Sequence, residues 1–291
     1  MVPQHLHSTS CADVVEATDL MLSFIVGNML VPSPATPSSA ILTLADLSPG
    51  AANRFPDQCE ANPSAARDLN ITATERLAKL TSARSILLIY ISTDYVFPGP
   101  PGEAPYEATS ATRPPNLYGQ TKLDGEKVVL EVAGGQGLGV ILRVPVLYGA
   151  VEDDVGNKES AINVLMDAVW KAQGKEAEVV MDDWAQRYPT NTEDVARVLV
   201  DLATKYLDAG EGRTGLPRIL QFSSEDRMTK YQICQLLAEI MGLPLNGMIA
   251  NKDGGGGVQR PYDTHLSSQS LKDLGISTRT MDFTAWWYVE L

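Results

Sequence analysis

From residue 51 onward the sequence alternates apolar strands with amphipathic helices, which predicts an α/β protein built on a parallel sheet covered by helices on both faces. Two further observations agree. With 291 residues, 44% of them hydrophobic, the chain can build one large α/β domain, or a domain with a smaller lobe, around a real core. Its clearest strand, Ser85 to Ile91 (SILLIYI), is an unbroken apolar run, which is how a strand buried on both faces reads.

The elements follow in order. Asn62-Pro63 opens a helix with a capping side chain and a proline in the first turn, and Ala65, Leu69, Ala73, Leu77 and Leu80 recur at helical spacing. After the strand at 85–91, a Pro/Gly-rich loop from Pro98 to Pro115 leads to a helix that opens at NLYGQTKLDGEK (Asn116 to Lys127) and stops at Gly134-Gly135. Val140 to Leu147 (VILRVPVL) is the next strand, and its internal Pro145 belongs at a bulge or near the strand end. Glu178 to Met181 and Arg218 to Phe222 read as strands, and Thr192 to Leu207 as a helix. Thr229 begins a further helix with a capping box completed by Gln232, and Gly242 ends it. Asp253 to Gly257 reads as a mobile loop, because a phosphate loop needs a following Lys-Ser/Thr and a helix. The first 49 residues differ in character: Val31 to Ala40 (VPSPATPSSA) reads as an irregular, disordered-type linker.

Composition excludes several classes of function. A formal charge of −13 without a basic cluster argues against nucleic-acid or anionic-membrane surfaces. Leu20 to Val31 is too short to span a bilayer and is preceded by Asp13, Glu16 and Asp19 rather than by basic residues. Cys11, Cys59 and Cys234 match no metal-ligand spacing, so neither a metal site nor a disulfide framework is expected and a reducing, cytoplasmic compartment fits. Asn70-Ile-Thr72 is a glycosylation sequon by chance, since it falls inside a helix.

The chemistry concentrates around Tyr118 and Lys122. On a 3.6-residue helix Tyr118, Thr121, Lys122, Gly125, Val128, Val129 and Val132 share about a third of the circumference, which puts the lysine on a valine-rich face. An ammonium about 4–6 Å from a phenol lowers the phenol's pKa, and i,i+4 spacing supplies that proximity. Such a tyrosine can protonate a carbonyl while a reduced nicotinamide delivers hydride; the alternative is an ordinary packed helix. Ser92-Thr93-Asp94-Tyr95 follows the apolar strand at its carboxyl end, where ligands bind in open α/β sheets. Thr93 can hydrogen-bond the same substrate oxygen, or simply cap the turn.

ISTDYVFPG, NLYGQTKLDGEK, LRVPVLYG, QRYPTNTEDVA, RMTKYQI and QRPYDTHLSSQSLKDLGI together resemble the extended short-chain dehydrogenase/reductases, and within them the dTDP-4-dehydrorhamnose reductase-like group. GAANRFPDQCEANP, NLYGQTKLDGEK and QRYPTNTEDVA look most like its methionine adenosyltransferase beta-subunit family. The resemblance covers residues 51 to 291. It implies a Rossmann-like parallel sheet and a smaller C-terminal substrate-binding-type lobe, with a partial NAD(P)-binding region at 50–150 and a mixed region at 151–291. It also implies a regulator of S-adenosylmethionine synthesis that binds NADP and docks on the methionine adenosyltransferase catalytic subunit.

Carried over by motif, Thr93, Tyr118 and Lys122 are the reductase triad. Arg54 reaches the phosphate-ribose part of the cofactor, and Leu147 lies on its nicotinamide side. Small residues at Gly50-Ala-Ala and a guanidinium suit a phosphate, although a surface arginine is the plain alternative for Arg54, as core is for Leu147. In a reductase reading, Arg187 and Arg260 line the substrate lobe and meet diphosphate oxygens, or else form surface or interlobe salt bridges. The tail Phe283 to Leu291 (FTAWWYVEL) offers aromatic anchors for a partner, or packs on its own domain.

One departure stands out. The family's sheet starts with a strand, a tight glycine-rich turn and a helix that holds the cofactor pyrophosphate. Before residue 99 this chain has only Gly27 and Gly50, so no dinucleotide fingerprint can be written there and NADP binding is put in doubt. The matching core begins abruptly near residue 50, which reads as an alternative or truncated product, or a wrong first exon, rather than as divergence. The sheet is therefore expected to be N-terminally incomplete, with apolar helix and strand faces exposed.

Overall fold

The computed structural model describes residues 41–43, 54–150, 160–174, 178–254 and 256–291. Gly27, Gly50, Cys11, the apolar stretch 20–31 and the proline-rich segment 31–40 lie outside the described residues. Leu42–Leu291 forms one compact unit, and everything below concerns it, apart from Ile41 at the start of the first strand.

The main sheet has four strands in the order β1 (Ile41–Thr43), β2 (Leu87–Thr93), β3 (Gly139–Val144) and β7 (Ile219–Gln221). β2 pairs with β3, and β3 with β7, all parallel. The register sets Ser92 beside Arg143 and Arg143 beside Gln221, one polar row across an otherwise apolar sheet. The run at 140–147 is divided at Pro145, where no ladder hydrogen bond can be donated: β4 (Leu147–Tyr148) leaves the main sheet and pairs with β6 (Thr190–Asn191). A second two-stranded parallel sheet joins β5 (Val179–Asp182) to β8 (Met248–Asn251).

Helix α1 (Pro56–Ala61) precedes a helical stretch that is not uniform. Asn62 caps it by accepting from Ala65 N at 3.2 Å, but α2 (Pro63–Arg67) passes through a π-helical turn, Asp68–Ala73, before α3 (Thr74–Ala83). The π turn buries Asn70, whose Nδ2 donates to Thr121 Oγ1 at 2.9 Å, so the sequon has no accessible amide for a glycan. Helix α4 (Leu117–Ala133) crosses this turn at Gly125, where a Cβ would lie 2.4 Å from Tyr90 Oη and 2.9 Å from Asn70 O. Only glycine permits that approach.

The other α-helices among the described residues are α5 (Leu165–Lys171), α6 (Thr192–Asp208), α7 (Lys230–Ile240), α8 (Gln269–Asp273) and α9 (Phe283–Glu290). The expected Thr229/Gln232 capping box is present at α7, and Gly242 follows its end at φ 65°. A cluster of Leu165, Val169, Ile233, Leu237, Phe283 and Trp287 forms the core beside the second sheet.

The expected exposure of apolar faces is absent from β2 and β3, whereas Trp170, Val180, Val200 and Ile249 are exposed on other elements. β3 is buried throughout, and β2 at all but Ile91, because helices and the returning C-terminal segments cover them. Cys59 and Cys234 are buried, and burial pushes the Cys59 thiol up to about 11. No helix among the described residues is long and apolar enough to cross a membrane.

Candidate functional site

β2 delivers Thr93 at its carboxyl end, and α4 delivers Tyr118 and Lys122 from its first two turns. Asn116 caps α4 by accepting from Gly119 N at 2.9 Å, and its Nδ2 donates to Gln259 O at 2.9 Å. Gly119 sits so close to β2's exit that a Cβ would lie 2.2 Å from Tyr95 O. This close approach sets the Tyr118 ring edge-on to Tyr95, with centroids 5.9 Å apart. The Thr93 hydroxyl donates to Asp94 Oδ1 at 3.0 Å, accepts from Tyr95 N at 3.2 Å and hydrogen-bonds the Tyr118 phenol. Thr93 therefore fills one of the two roles weighed for it, that of turn cap.

Lysine 122 is buried, as its place on the valine-rich face implied, but its effect on Tyr118 is not the expected one. Burial raises the Tyr118 phenol well above its ordinary range, outweighing the hydrogen bond with Thr93 that brings it down. The reason lies in where the ammonium points. Lys122 Nζ donates to Ile91 O at 2.7 Å and stands 4.1 Å from the Tyr90 ring centroid, so its charge is directed at the strand beneath the helix. Burial lowers the amine to about 7, with Glu126 opposing the shift.

Below this group lies a buried network that sequence reasoning did not single out. Glu126 of α4 accepts from Arg143 Nε at 2.9 Å and Nη2 at 2.7 Å, and from Ser92 Oγ at 2.5 Å. Arg143 Nη1 reaches Ala108 O and Gln221 Oε1, and its guanidinium lies over Phe97. The available signal was a lone arginine inside the apolar run VILRVPV, which requires a buried acid. Asp94 was missed too. Its carboxyl is pushed up by burial, against hydrogen bonds from Thr264 (2.5 Å) and Thr93 and the Arg187 charge.

Leu147 lies on β4, partly buried, three residues after Val144, the register partner of Thr93. Arg54 is exposed, its guanidinium 5.8 Å from the Phe55 ring, just before α1. Glu60 of α1 accepts from Leu117 N at the start of α4. Arg187 is brought to Tyr95, 5.7 Å above its ring, and is buried. Arg260 is paired with Asp57 at 2.5 Å. The tail divides: Phe283 and Trp287 are core, packed with Trp286 around Tyr148, whereas Tyr288, Val289 and Leu291 are exposed.

Residues 48–284 match the RmlD substrate binding domain family. The rat (Rattus norvegicus) methionine adenosyltransferase 2 subunit beta is 42% identical over 232 residues, 79% of this chain; the chain spans 65% of that relative's length. A dTDP-4-keto-6-deoxy-D-glucose reductase of Streptomyces niveus is 30% identical over 222 residues, 76% of this chain and 69% of the relative. Among solved structures, a Bacillus anthracis dTDP-4-dehydrorhamnose reductase in complex with NADP has a TM-score of 0.69 at 18% identity, covering 98% of this chain and 86% of that one. At that identity the likeness is one of fold.

Proposed function

The chain belongs to the RmlD substrate binding domain family, in the group of the methionine adenosyltransferase beta subunits, and from that premise we propose that it is a regulatory subunit of a methionine adenosyltransferase. In this reading it binds the catalytic subunit and supports S-adenosylmethionine synthesis, with a partial or vestigial NADP site at the carboxyl ends of β2 and β3. The observation that carries it is the greater similarity to the beta subunits, 42% against 30% for the reductase. Tyr118 supports it from the chemical side, because a phenol raised by burial and not faced by the lysine ammonium is a poor proton shuttle at neutral pH.

Partner binding is assigned to the exposed residues of the tail, Tyr288, Val289 and Leu291, since Phe283 and Trp287 are committed to the core. The test is co-purification of the full chain with the catalytic subunit. The chain with Tyr288, Val289 and Leu291 all changed to Ser should fold and lose the partner. Unchanged binding by that variant removes the tail from the interface, and failure of the unaltered chain to bind overturns the regulatory reading.

A second reading, an NADPH-dependent reductase of a nucleotide-linked keto-sugar, is favoured by the juxtaposition of Thr93, Tyr118 and Lys122. These residues fit the nicotinamide end of such a cofactor: Lys122 uses one N–H on Ile91 O and has two more donors for a ribose diol. The cofactor, when bound, supplies the hydride. Thr93 then orients a substrate oxygen, Tyr118 holds a proton at its phenol oxygen, and Arg187 and Arg260 line the substrate side. NADPH oxidation with a dTDP-linked keto-sugar, lost in Tyr118→Phe, is the outcome this reading requires; no binding of reduced cofactor at millimolar concentration counts against it.

A further inference from the structure

Asp94 and Glu126 are both buried, and the partners the fold gives them differ in kind. Glu126 faces the guanidinium of Arg143, which only donates and therefore demands a carboxylate. Asp94 faces hydroxyls: Thr93 Oγ1 donates to its Oδ1 at 3.0 Å, and Thr264 Oγ1 to its Oδ2 at 2.5 Å. Arg187 adds a positive charge nearby, but its Nη1 and Nη2 make no hydrogen bond to the acid. A hydroxyl donates or accepts, so each threonine serves the carboxylic acid as well as the carboxylate. Burial pushes this carboxyl up, so Asp94 keeps its proton to a higher pH than an ordinary aspartate.

Thr93 joins this acid to Tyr118. Its hydroxyl donates to Asp94, accepts from Tyr95 N at 3.2 Å and hydrogen-bonds the Tyr118 phenol. Lys122 does not offer the phenol a proton, since its Nζ is directed to Ile91 O and the Tyr90 ring. The Tyr95 phenol and the Cys59 thiol also face Tyr118, but burial raises both, Cys59 to about 11, so both stay protonated at neutral pH. Arg187 and Arg260 act on Tyr95 from the substrate side, opposed by Asp182, and Asp263, beside Thr264, is turned to the Tyr188 hydroxyl. Asp94 is thus the group bonded to Thr93 that is built to gain and lose a proton.

We propose that Asp94 is a positioning residue that exchanges a proton with Tyr118 through the Thr93 hydroxyl. This role rests on the reductase reading for its use in turnover, whereas the proton path itself needs no cofactor. When a carbonyl is reduced by a reduced nicotinamide, the carbonyl carbon gains hydride and Tyr118 gives its phenol proton to the carbonyl oxygen. The phenolate then takes the Thr93 hydroxyl proton, and the Thr93 oxygen takes the Asp94 carboxyl proton. Tyr118 and Thr93 end neutral and Asp94 ends as the carboxylate, which regains one proton from water before the next turnover. Oxidation of an alcohol runs the same path backwards.

The full chain, labelled at tyrosine Cζ, is titrated by NMR without cofactor, and the Tyr118 resonance is the one lost in Tyr118→Phe. Its shift should follow a titration whose midpoint lies above the ordinary aspartate value of about 3.9. That response should vanish in Asp94→Asn. Thr93→Val keeps the side-chain shape and the distance between the two groups but breaks the bonded path, so most of the response should be lost. Thr264→Val removes a donor that favours the carboxylate, so the response should keep its size and move to higher pH. These two variants leave Asp94 in place and carry the test should Asp94→Asn fail to fold. No response in the unaltered chain, or one of undiminished size in Thr93→Val, overturns the proposal.

Turnover adds a second readout. With NADPH and a dTDP-linked keto-sugar, Asp94→Asn should lower kcat about 10-fold or more with little change in KM, and should remove one ionisation from the pH profile of kcat. An unchanged kcat and profile overturn the part of Asp94 in turnover. An unaltered chain that shows the tyrosine response but no turnover keeps the proton path and loses only the reductase reading.

Discussion

Arg143, on β3, and Arg187, in the loop between β5 and β6, are 2% and 4% exposed, and the fold treats them in opposite ways. Around Arg143 every nitrogen has an acceptor: Glu126 takes two donors at 2.9 and 2.7 Å, and Ala108 O and Gln221 Oε1 share the third. Around Arg187 the fold supplies a carboxylate oxygen of Asp182 at 3.8 Å, the nearby buried Asp94 and a tyrosine face, none of which accepts a hydrogen bond from Nη1 or Nη2. The first arrangement ties β2, α4, β3 and β7 into one row, and its charges are compensated inside the protein. The second leaves Nη1 and Nη2 without an acceptor among the described residues. A buried charge that is fully answered ties elements together, whereas one left partly open carries an uncompensated desolvation cost.

The most severe way to break this contrast is Glu126→Gln, which puts Arg143 into the condition of Arg187. The side-chain shape is kept and the counter-charge is lost, so chemical denaturation should show a loss of about 3–5 kcal/mol, the usual cost of stranding one member of a buried pair. If Glu126→Gln unfolds at the same denaturant concentration as the unaltered chain, the network does not hold the sheet together.

Lys122 is an intermediate case, a buried cation answered by one carbonyl and one ring, and pH separates it from the arginines. Its folded-state pKa is about 7, against 10.5 for an ordinary lysine. Between those values the unfolded chain binds more protons than the folded one, so stability should rise as pH increases from 7 and the full penalty should apply below 7. Between pH 7 and 9, beneath the tyrosine range, the gain should be about 2–3 kcal/mol. Lys122→Met should remove most of that rise, leaving the smaller contribution of Lys230, which starts near 8. A pH profile unchanged by Lys122→Met would mean that the amine is not held as the structure shows.

How much of this was legible in the sequence depends on how local the deciding interaction is. Helix α4 could be read because its signals are local: Asn116 caps it, glycines stop it, and its apolar face follows the period. The burial of Lys122 followed from that face. Its direction did not, because i,i+4 spacing describes the helix surface, whereas Ile91 O and the Tyr90 ring belong to a strand 31 residues earlier. Glu126 looked like an ordinary polar position for the same reason, since its partners Ser92 and Arg143 come from two other elements. The π turn at Asp68–Ala73 left no periodic trace, and Gly125 became interpretable only once Asn70 O was found above it. In the tail, the aromatic count could not say which rings face inward; α9's contact with Tyr148 decided it.

Smaller changes sharpen the comparison without breaking either region. Ser92→Ala removes one hydrogen bond to Glu126 and leaves both arginine contacts, so the loss should be about 1.5 kcal/mol by denaturant titration. A loss as large as that of Glu126→Gln would show that the serine, not the ion pair, governs the network.

The finest test is Asp182→Asn. An asparagine can keep the acceptor used by Trp184 N and Ala185 N, so the change deletes little except the charge 3.8 Å from Arg187. A pair at that distance with a partly exposed acid contributes under about 1 kcal/mol, and stability should hardly move. A loss well above about 1 kcal/mol by denaturant titration would show instead that this carboxylate is the main support of the buried guanidinium. Any change is confined to the open arginine, because Asp182 makes none of the contacts that hold Arg143 in place.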